Sequence, residues 1–245
     1  MVFNRINLPS RLENNFILRK LFLLRKLYLI RAKFYHYSQF AEDVSIRRFF
    51  SKDYRGFFVD VGCFHPKKYS NTWALYKKGW RGVNIDIDSI KTEGFNIARP
   101  HDLNICCAVS NKEGELEYFS NGFYALTTSL DEKFTEGKSG YVKKTTRTSR
   151  LTTLLDDTKF KDRKIDFLTV DAEGHDLEVL ESLDFERYAP SLVAVEAHQP
   201  LFKELCETPL YKFFETKGYC LVGWCGLTIL MAAPSLQETL TNPDS

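Results

Sequence analysis

Apolar and basic residues alternate in blocks from Phe16 to Phe34, FILRKLFLLRKLYLIRAKF. From Tyr54 onward a different rhythm sets in, with short apolar runs ending in acid separated by helix-like segments. Residues 56–62 (GFFVDVG), 82–86 (GVNID), 102–109 (DLNICCAV), 165–171 (IDFLTVD) and 191–196 (SLVAVE) are apolar runs of strand length, as strands buried on both faces require. Between and after them, residues 71–78 (stopped by Gly79), 89–97, a short TTLLDD segment started by Ser149, 176–182 and 209–217 predict helices. Residues 115–119 predict an added strand after a turn at 112–114. Residues 219–223 and 227–231 predict a closing hairpin across 224–226. Strand and helix in alternation, closed by a hairpin, imply an α/β three-layer domain with a mostly parallel sheet. Residues 120–149 are polar, rich in Thr, Ser and Lys, and lack a period. They read as a loop or lid over the site, or as a surface insertion.

The block pattern at the start sets off a basic helical arm, residues 1–35, from a body of residues 36–245. The arm carries eight bases against Glu13 alone, a balance of +7, whereas the body carries 26 bases and 31 acids, a balance of −5. Its longest clean apolar stretches, 21–24 and 27–30, are far below the ~20 residues that span a bilayer, and they make no secretory signal core. Three explanations stay open: peripheral contact with an anionic membrane surface, packing on the body or a second subunit, and a solvated leader. An acidic body excludes a general nucleic-acid surface.

With 44% hydrophobic residues the chain of 245 can fill a large core, and no period of 20–50 residues recurs. Six cysteines, at 63, 106, 107, 206, 220 and 225, form no CxxC pair and imply a reducing cytoplasm, and adjacent Cys106 and Cys107, inside an apolar run, read as small buried thiols. They offer neither a disulfide framework nor a zinc cage.

In a sheet of this kind ligands gather beyond the carboxyl ends of the strands. Four strand ends carry candidate groups: Asp60 with Gly62 and Cys63, Asp86 with Asp88, Asp171 with Glu173, and Glu196 with His198. The loop VDVGCFHP has one glycine, where a dinucleotide fingerprint needs G-x-G-x-x-G. Asp86 follows Asp60 by 26 residues, where a carboxylate can accept both ribose hydroxyls of an adenosine. Acid with a single glycine suits a ligand with a positive centre and no phosphate, which describes S-adenosylmethionine better than NAD. The bland alternative is that Asp60 and Asp86 only cap neighbouring helices.

The ordered set SQFAEDV (38–44), FVDVGCFHP (58–66), SNTWALYKKGWRGVNIDID (70–88), NICCAVSNKEGEL (104–116) and IDFLTVDAEGHDLEVL (165–180) resembles the FkbM-type family of S-adenosylmethionine-dependent methyltransferases over residues 38–222. The resemblance implies a Rossmann-like class I methyltransferase fold and O-methylation of sugars or natural-product hydroxyls. It implies that Asp60, Gly62 and Cys63 flank the methionine part of the cofactor and that Asp86 holds the ribose, with Asp88 just beyond. It also implies that Cys107 and Ala108 border the adenine, and that Gln39 and Asp43 close the pocket from the N-terminal side. The chain departs in reading Asp86-Ile87-Asp88-Ser89 where members often carry Glu-Pro-Asn-Pro.

A sugar hydroxyl is a weak acid, so its methylation calls for a base or a metal. With strands one, four and five adjacent, His65, Asp171 and His198 can meet as ligands of magnesium, manganese or iron, with Glu173 and Glu196 as second choices. The metal-free alternative makes Asp171 or His198 the base, with Glu173 beside them. A purely structural role is the third reading. His101 and His175 read as surface residues. Tyr118, Phe119, Phe123, Tyr124 and Trp224 are candidates to stack on a sugar face, or core. The leading expectation is an O-methyltransferase acting on a sugar, nucleotide sugar or glycan of surface polysaccharide biosynthesis. Its rivals are methylation of a natural product, or of RNA or protein nitrogen, for which the Asn-Pro-Pro-aromatic motif is missing, and a non-enzymatic membrane-tethered binding module.

Overall fold

The computed structural model describes residues 15–28, 36–120, 128–129 and 141–241. Seven of the strands are β1 (Phe57–Val61), β2 (Arg81–Asp86), β3 (Leu103–Cys106), β8 (Phe167–Val170), β9 (Leu192–Glu196), β10 (Cys220–Cys225) and β11 (Thr228–Ala232). They assemble as one sheet of order β10-β11-β9-β8-β1-β2-β3. The pairs from β3 through β9 are parallel, and the β10–β11 hairpin joins β9 antiparallel. The expected mixed α/β architecture with its terminal hairpin is therefore present.

Each central strand is buried along its length because it feeds two cores. Val59, Val61, Val83, Ile85, Leu168 and Val193 pack on one face, and Phe58, Phe167, Ala194 and Leu230 on the other with Trp80 and Leu75. The crossover helices supply the outer layers. They are α3 (Trp73–Lys77), α4 (Ser89–Ala98), α5 (Leu151–Asp156), α6 (Asp176–Glu181), α7 (Phe185–Tyr188), α8 (Phe202–Glu207), α9 (Pro209–Thr216) and α10 (Pro234–Thr241), following α1 (Phe16–Tyr28) and α2 (Glu42–Ile46). Strand order reverses between β1 and β8, which makes the gap beyond their carboxyl ends the switch point.

Three expectations need correction. The third strand ends at Cys106: the Cys107 N–H donates to Asp86 O, and Ala108–Val109 (β4) leaves to pair with residues 148–149. Residues 142–149, expected in a loop or lid, form β7 (Val142–Ser149), antiparallel to β5 (Gly114–Ser120). With β6 (Thr128–Ser129) these strands make a second sheet of order β4-β7-β5-β6. The strand was illegible because most of β7 is exposed or half-buried, so its sequence, VKKTTRTS, needs no apolar alternation. Residues 121–127 and 130–140 of the expected lid lie outside the described residues. Cys106 is exposed, unlike its buried neighbour Cys107.

Helix α1, the described part of the basic arm, packs on the body. Asn15 Oδ1 accepts from the Ile17 and Leu18 N–H groups and starts α1. Phe22, Leu23 and Leu27 bury against Phe64, Ile90 and Ile97, and Arg19 Nε meets Glu93 Oε2 at 3.0 Å. Among the described residues no helix is long and apolar enough to cross a membrane.

Candidate active site

The chain leaves β1 through a left-handed Gly62 (φ 82°), whose N–H, like that of Cys63, donates to Ile85 O at the end of β2. A Cβ on Gly62 would stand 1.8 Å from Asp171 O. The loop after β1 is thereby pressed onto the end of β8, a contact that only glycine permits. Beyond it opens a cavity whose empty space, open mouth included, is about 690 Å³. Val61, Ile85, Val109, Leu116 and Val179 supply apolar wall, and Asp86, Lys91, Asp171, Glu173 and His175 the charged and polar groups. That mixture suits a ligand with one apolar and one polar part.

Of the predicted cofactor residues, Gly62, Asp86, Cys107 and Ala108 line the cavity. Asp86 is buried at the end of β2; one carboxylate oxygen accepts from the Asp88 N–H at 2.8 Å and the other faces Lys91 Nζ at 3.5 Å. Burial pushes the Asp86 carboxyl above its usual range, and the Lys91 charge works against that. Asp88 is the helix cap: its Oδ1 accepts from the Ile90 N–H at the start of α4, and it does not line the cavity. The capping alternative considered for Asp60 and Asp86 thus describes Asp88.

Asp60 and Cys63 are buried outside the cavity wall. Asp60 Oδ2 accepts from Thr72 Oγ1 at 2.6 Å, and the same hydroxyl accepts from Arg99 Nη1 at 2.7 Å. Arg99, fully buried, also donates from Nε and Nη2 to Pro66 O and from Nη2 to Ser70 Oγ. It stands 4.0 Å from Asp102. This cation cross-links the loop after β1 to the helix after β2, and sequence reasoning missed it because an Arg near a helix end ordinarily reads as solvated. Gln39 is exposed, and Asp43 is held by Ser38 Oγ (2.8 Å) with Arg47 at 3.8 Å; neither lines the cavity.

Burial raises Asp60 to a pKa of about 6, with Thr72 and Arg99 opposing the rise. Because the folded chain holds a proton that the unfolded chain has released, this group's stabilising contribution is full below 3.8 and lost as pH rises through about 6. The effect is on the order of 3 kcal/mol. Asp86, Asp102 and Asp171 shift the same way. The thermal midpoint of the unliganded protein is expected to rise between neutrality and about pH 5; a falling midpoint over that interval would contradict these assignments.

Of the predicted catalytic groups, Asp171 and Glu173 line the cavity, and His198 does not. Asp171 retains solvent-exposed surface, yet the protein packed round it, and then the charges of Glu196, Glu173, Asp176 and Asp60, push its carboxyl well above the usual range. Glu173 takes a left-handed φ of 51°; it too keeps exposed surface, yet the protein packed round it raises its carboxyl. His198 is 63% exposed and pairs with Glu196 Oε2 at 3.3 Å.

The metal site expected from His65, Asp171 and His198 is not assembled. The buried His65 ring turns into its own loop, where Nδ1 accepts from the Lys67 and Lys68 N–H groups at 3.0 Å each. No group of three His, Cys, Asp or Glu side chains able to hold a metal occurs among the described residues, with Glu173 and Glu196 included.

Phe64, Lys91 and His175 line the cavity without having been predicted. His175, read from sequence as a surface residue, is half-buried with Nε2 at 3.1 Å from Ser110 Oγ. Both His175 and Lys91 sit at starts of helices that follow strands, positions that face the ligand end of such a sheet, and that placement was the available signal. Of the aromatics considered for a sugar face, Tyr118 is buried and Trp224 Nε1 donates to Gly226 O. Phe123 and Tyr124 lie outside the described residues.

Among solved structures, a methyltransferase FkbM from Methylobacillus flagellatus KT is similar at 15% identity and a TM-score of 0.47; the match covers 75% of this chain and 44% of that one. The chain thus spans less than half the length of that protein. A TehB-like SAM-dependent methyltransferase from Corynebacterium glutamicum is similar at 13% identity and a TM-score of 0.39, over 78% of this chain and 84% of that one. A precorrin-6y C5,15-methyltransferase from Geobacter metallireducens gives 12%, 0.42, 83% and 92% for the same quantities. No curated protein matches the chain. Residues 60–219, more than half of the sequence, match the methyltransferase FkbM domain, running from the acid of β1 to the start of the closing hairpin. By that match the chain belongs to the FkbM methyltransferase family.

Proposed function

We propose that the chain is an S-adenosylmethionine-dependent O-methyltransferase acting on a hydroxyl of a sugar, nucleotide sugar or glycan in surface polysaccharide biosynthesis. The observation that carries the cofactor part is a cavity where Gly62's bare backbone, the buried Asp86 and the partly exposed Asp171 meet at the ends of β1, β2 and β8. When bound, the cofactor supplies an electrophilic methyl group. Asp86 accepts from the ribose hydroxyls, which compete with Lys91 for its second oxygen. Cys107 and Ala108 border the base, and Gly62 lets the backbone approach. The acceptor class rests on family membership.

Asp171 takes the acceptor hydroxyl proton. Its elevated pKa, raised by burial and neighbouring acids, brings it nearer to neutrality, where a carboxylate is a more effective base. His198 pairs with Glu196 away from the cavity wall and is not needed for that step. Methyl transfer from radiolabelled S-adenosylmethionine to a panel of sugars, nucleotide sugars and oligosaccharides, scored against amine acceptors, tests the assignment. Asp171→Asn is expected to slow turnover by ~10²–10⁴ with cofactor binding retained, and wild-type turnover should rise as pH passes through the raised pKa. If Glu173→Gln or His198→Gln abolishes turnover and Asp171→Asn does not, the base is misassigned. Methylation of amines alone would overturn the hydroxyl reading.

A further inference from the structure

Among the described side chains, helix α1 is anchored to the body by one face. Phe22, Leu23 and Leu27 face Phe64, Ile90 and Ile97, and the Arg19–Glu93 pair fixes the orientation. On the other side Ile17, Leu21 and Leu24 recur at i, i+4 and i+7 and are 67%, 58% and 40% exposed. That spacing aligns them as one ridge. At 3.6 residues per turn, the exposed Lys20 falls on one flank of the ridge and the exposed Arg25 on the other. An apolar ridge of this kind in water leaves burial free energy unrealised until a partner covers it.

We propose that this face of α1 is a docking surface for an anionic lipid membrane, on which the helix lies in the headgroup plane. An apolar ridge with a base on either flank is the pattern of an interfacial helix. The charge asymmetry of the chain points the same way, since residues 1–35 carry +7 and the remainder −5. An anionic surface attracts the arm and repels the body, which orients the molecule. A second copy of the chain fits less well. A two-fold contact along the ridge would bring Lys20 and Arg25 of both copies together, and α1 contains no acid to pair with them. Because Phe64 both receives α1 and lines the cavity, docking would hold the cavity close to the lipid surface. Docking of this kind does not depend on which reaction the cavity performs.

The test is co-sedimentation of the 245-residue chain with phosphatidylcholine vesicles, with and without added phosphatidylglycerol. Binding is expected only with phosphatidylglycerol, and it should weaken as salt is added. Lys20→Glu/Arg25→Glu and, separately, Ile17→Ser/Leu21→Ser are each expected to lower partitioning by about tenfold or more. Both should leave the thermal midpoint unchanged, because the altered side chains are exposed. Equal binding to both vesicle types, no binding to either, or undiminished binding by both variants would overturn the proposal. So would light scattering that shows a dimer dissolved by Ile17→Ser/Leu21→Ser, since the ridge would then belong to a second copy.

Discussion

Gly62→Ala is expected to destabilise the protein by more than about 4 kcal/mol, at the extreme of single substitutions, and to abolish cofactor binding. Two effects add. A side chain at φ 82° costs about 1–3 kcal/mol in backbone strain. The new Cβ would also stand 1.8 Å from Asp171 O, a backbone atom one residue past β8 that is tied to β1 by the Asp171 N–H bond to Val61 O. Relief requires the ends of β1 and β8 to separate, which opens the floor of the cavity. Gly174→Ala is the matched control: φ there is 90°, yet a Cβ at that position would have nothing within 4 Å. It should cost only about 1 kcal/mol or somewhat more. Urea denaturation of both variants measures the difference, and equal stabilities would show that the close approach of the two strand ends does not govern this loop.

Arg99→Met is expected to cost about 3–5 kcal/mol. The substitution keeps volume but removes the cation beside Asp60 and Asp102, together with donors to Pro66 O, Ser70 and Thr72. Buried acceptors then lack partners, and the loop after β1 loses its tie to α4. The deficit should depend on pH with a definite sign. Arg99 holds the Asp60 pKa down, so its removal raises that pKa beyond about 6 and favours the protonated carboxyl further. The variant should therefore recover part of its loss as pH falls. A deficit independent of pH, or smaller than about 1 kcal/mol, would mean that Arg99 does not neutralise the acids beneath the loop.

The strands were legible because burial on both faces makes them nearly uninterrupted apolar runs, as in FFVDV and LVAVE. β7 was not, since its polar sequence is held by pairing with β5 rather than by a core. The strand-end acids marked the end of the sheet at which the cavity opens, but sequence could not assign their directions. Successive residues of a strand point to opposite faces, so Asp60 meets Thr72 and Arg99 while Val61 lines the cavity. The proposed metal set failed for a related reason. Proximity of strand ends fixes backbone positions, whereas the local turn at 65–68 rotates the His65 ring into its own backbone. Lys91 and His175 required knowing which turn of a helix overhangs the cavity, and that depends on the length of the preceding loop.

If the cavity is a cofactor site read by Asp86, calorimetry with S-adenosylhomocysteine shows it most directly. That ligand lacks the transferable methyl and needs no acceptor. Wild-type protein is expected to bind it with micromolar affinity and to show no binding of NAD. Asp86→Asn keeps the side-chain shape but weakens the hydrogen bonds to the ribose, each worth ~1.5–3 kcal/mol when charged. The variant should lose at least about tenfold in affinity. Absence of binding by a folded wild-type sample would contradict the methyltransferase reading, and unchanged affinity in Asp86→Asn would contradict the assignment of the ribose to Asp86.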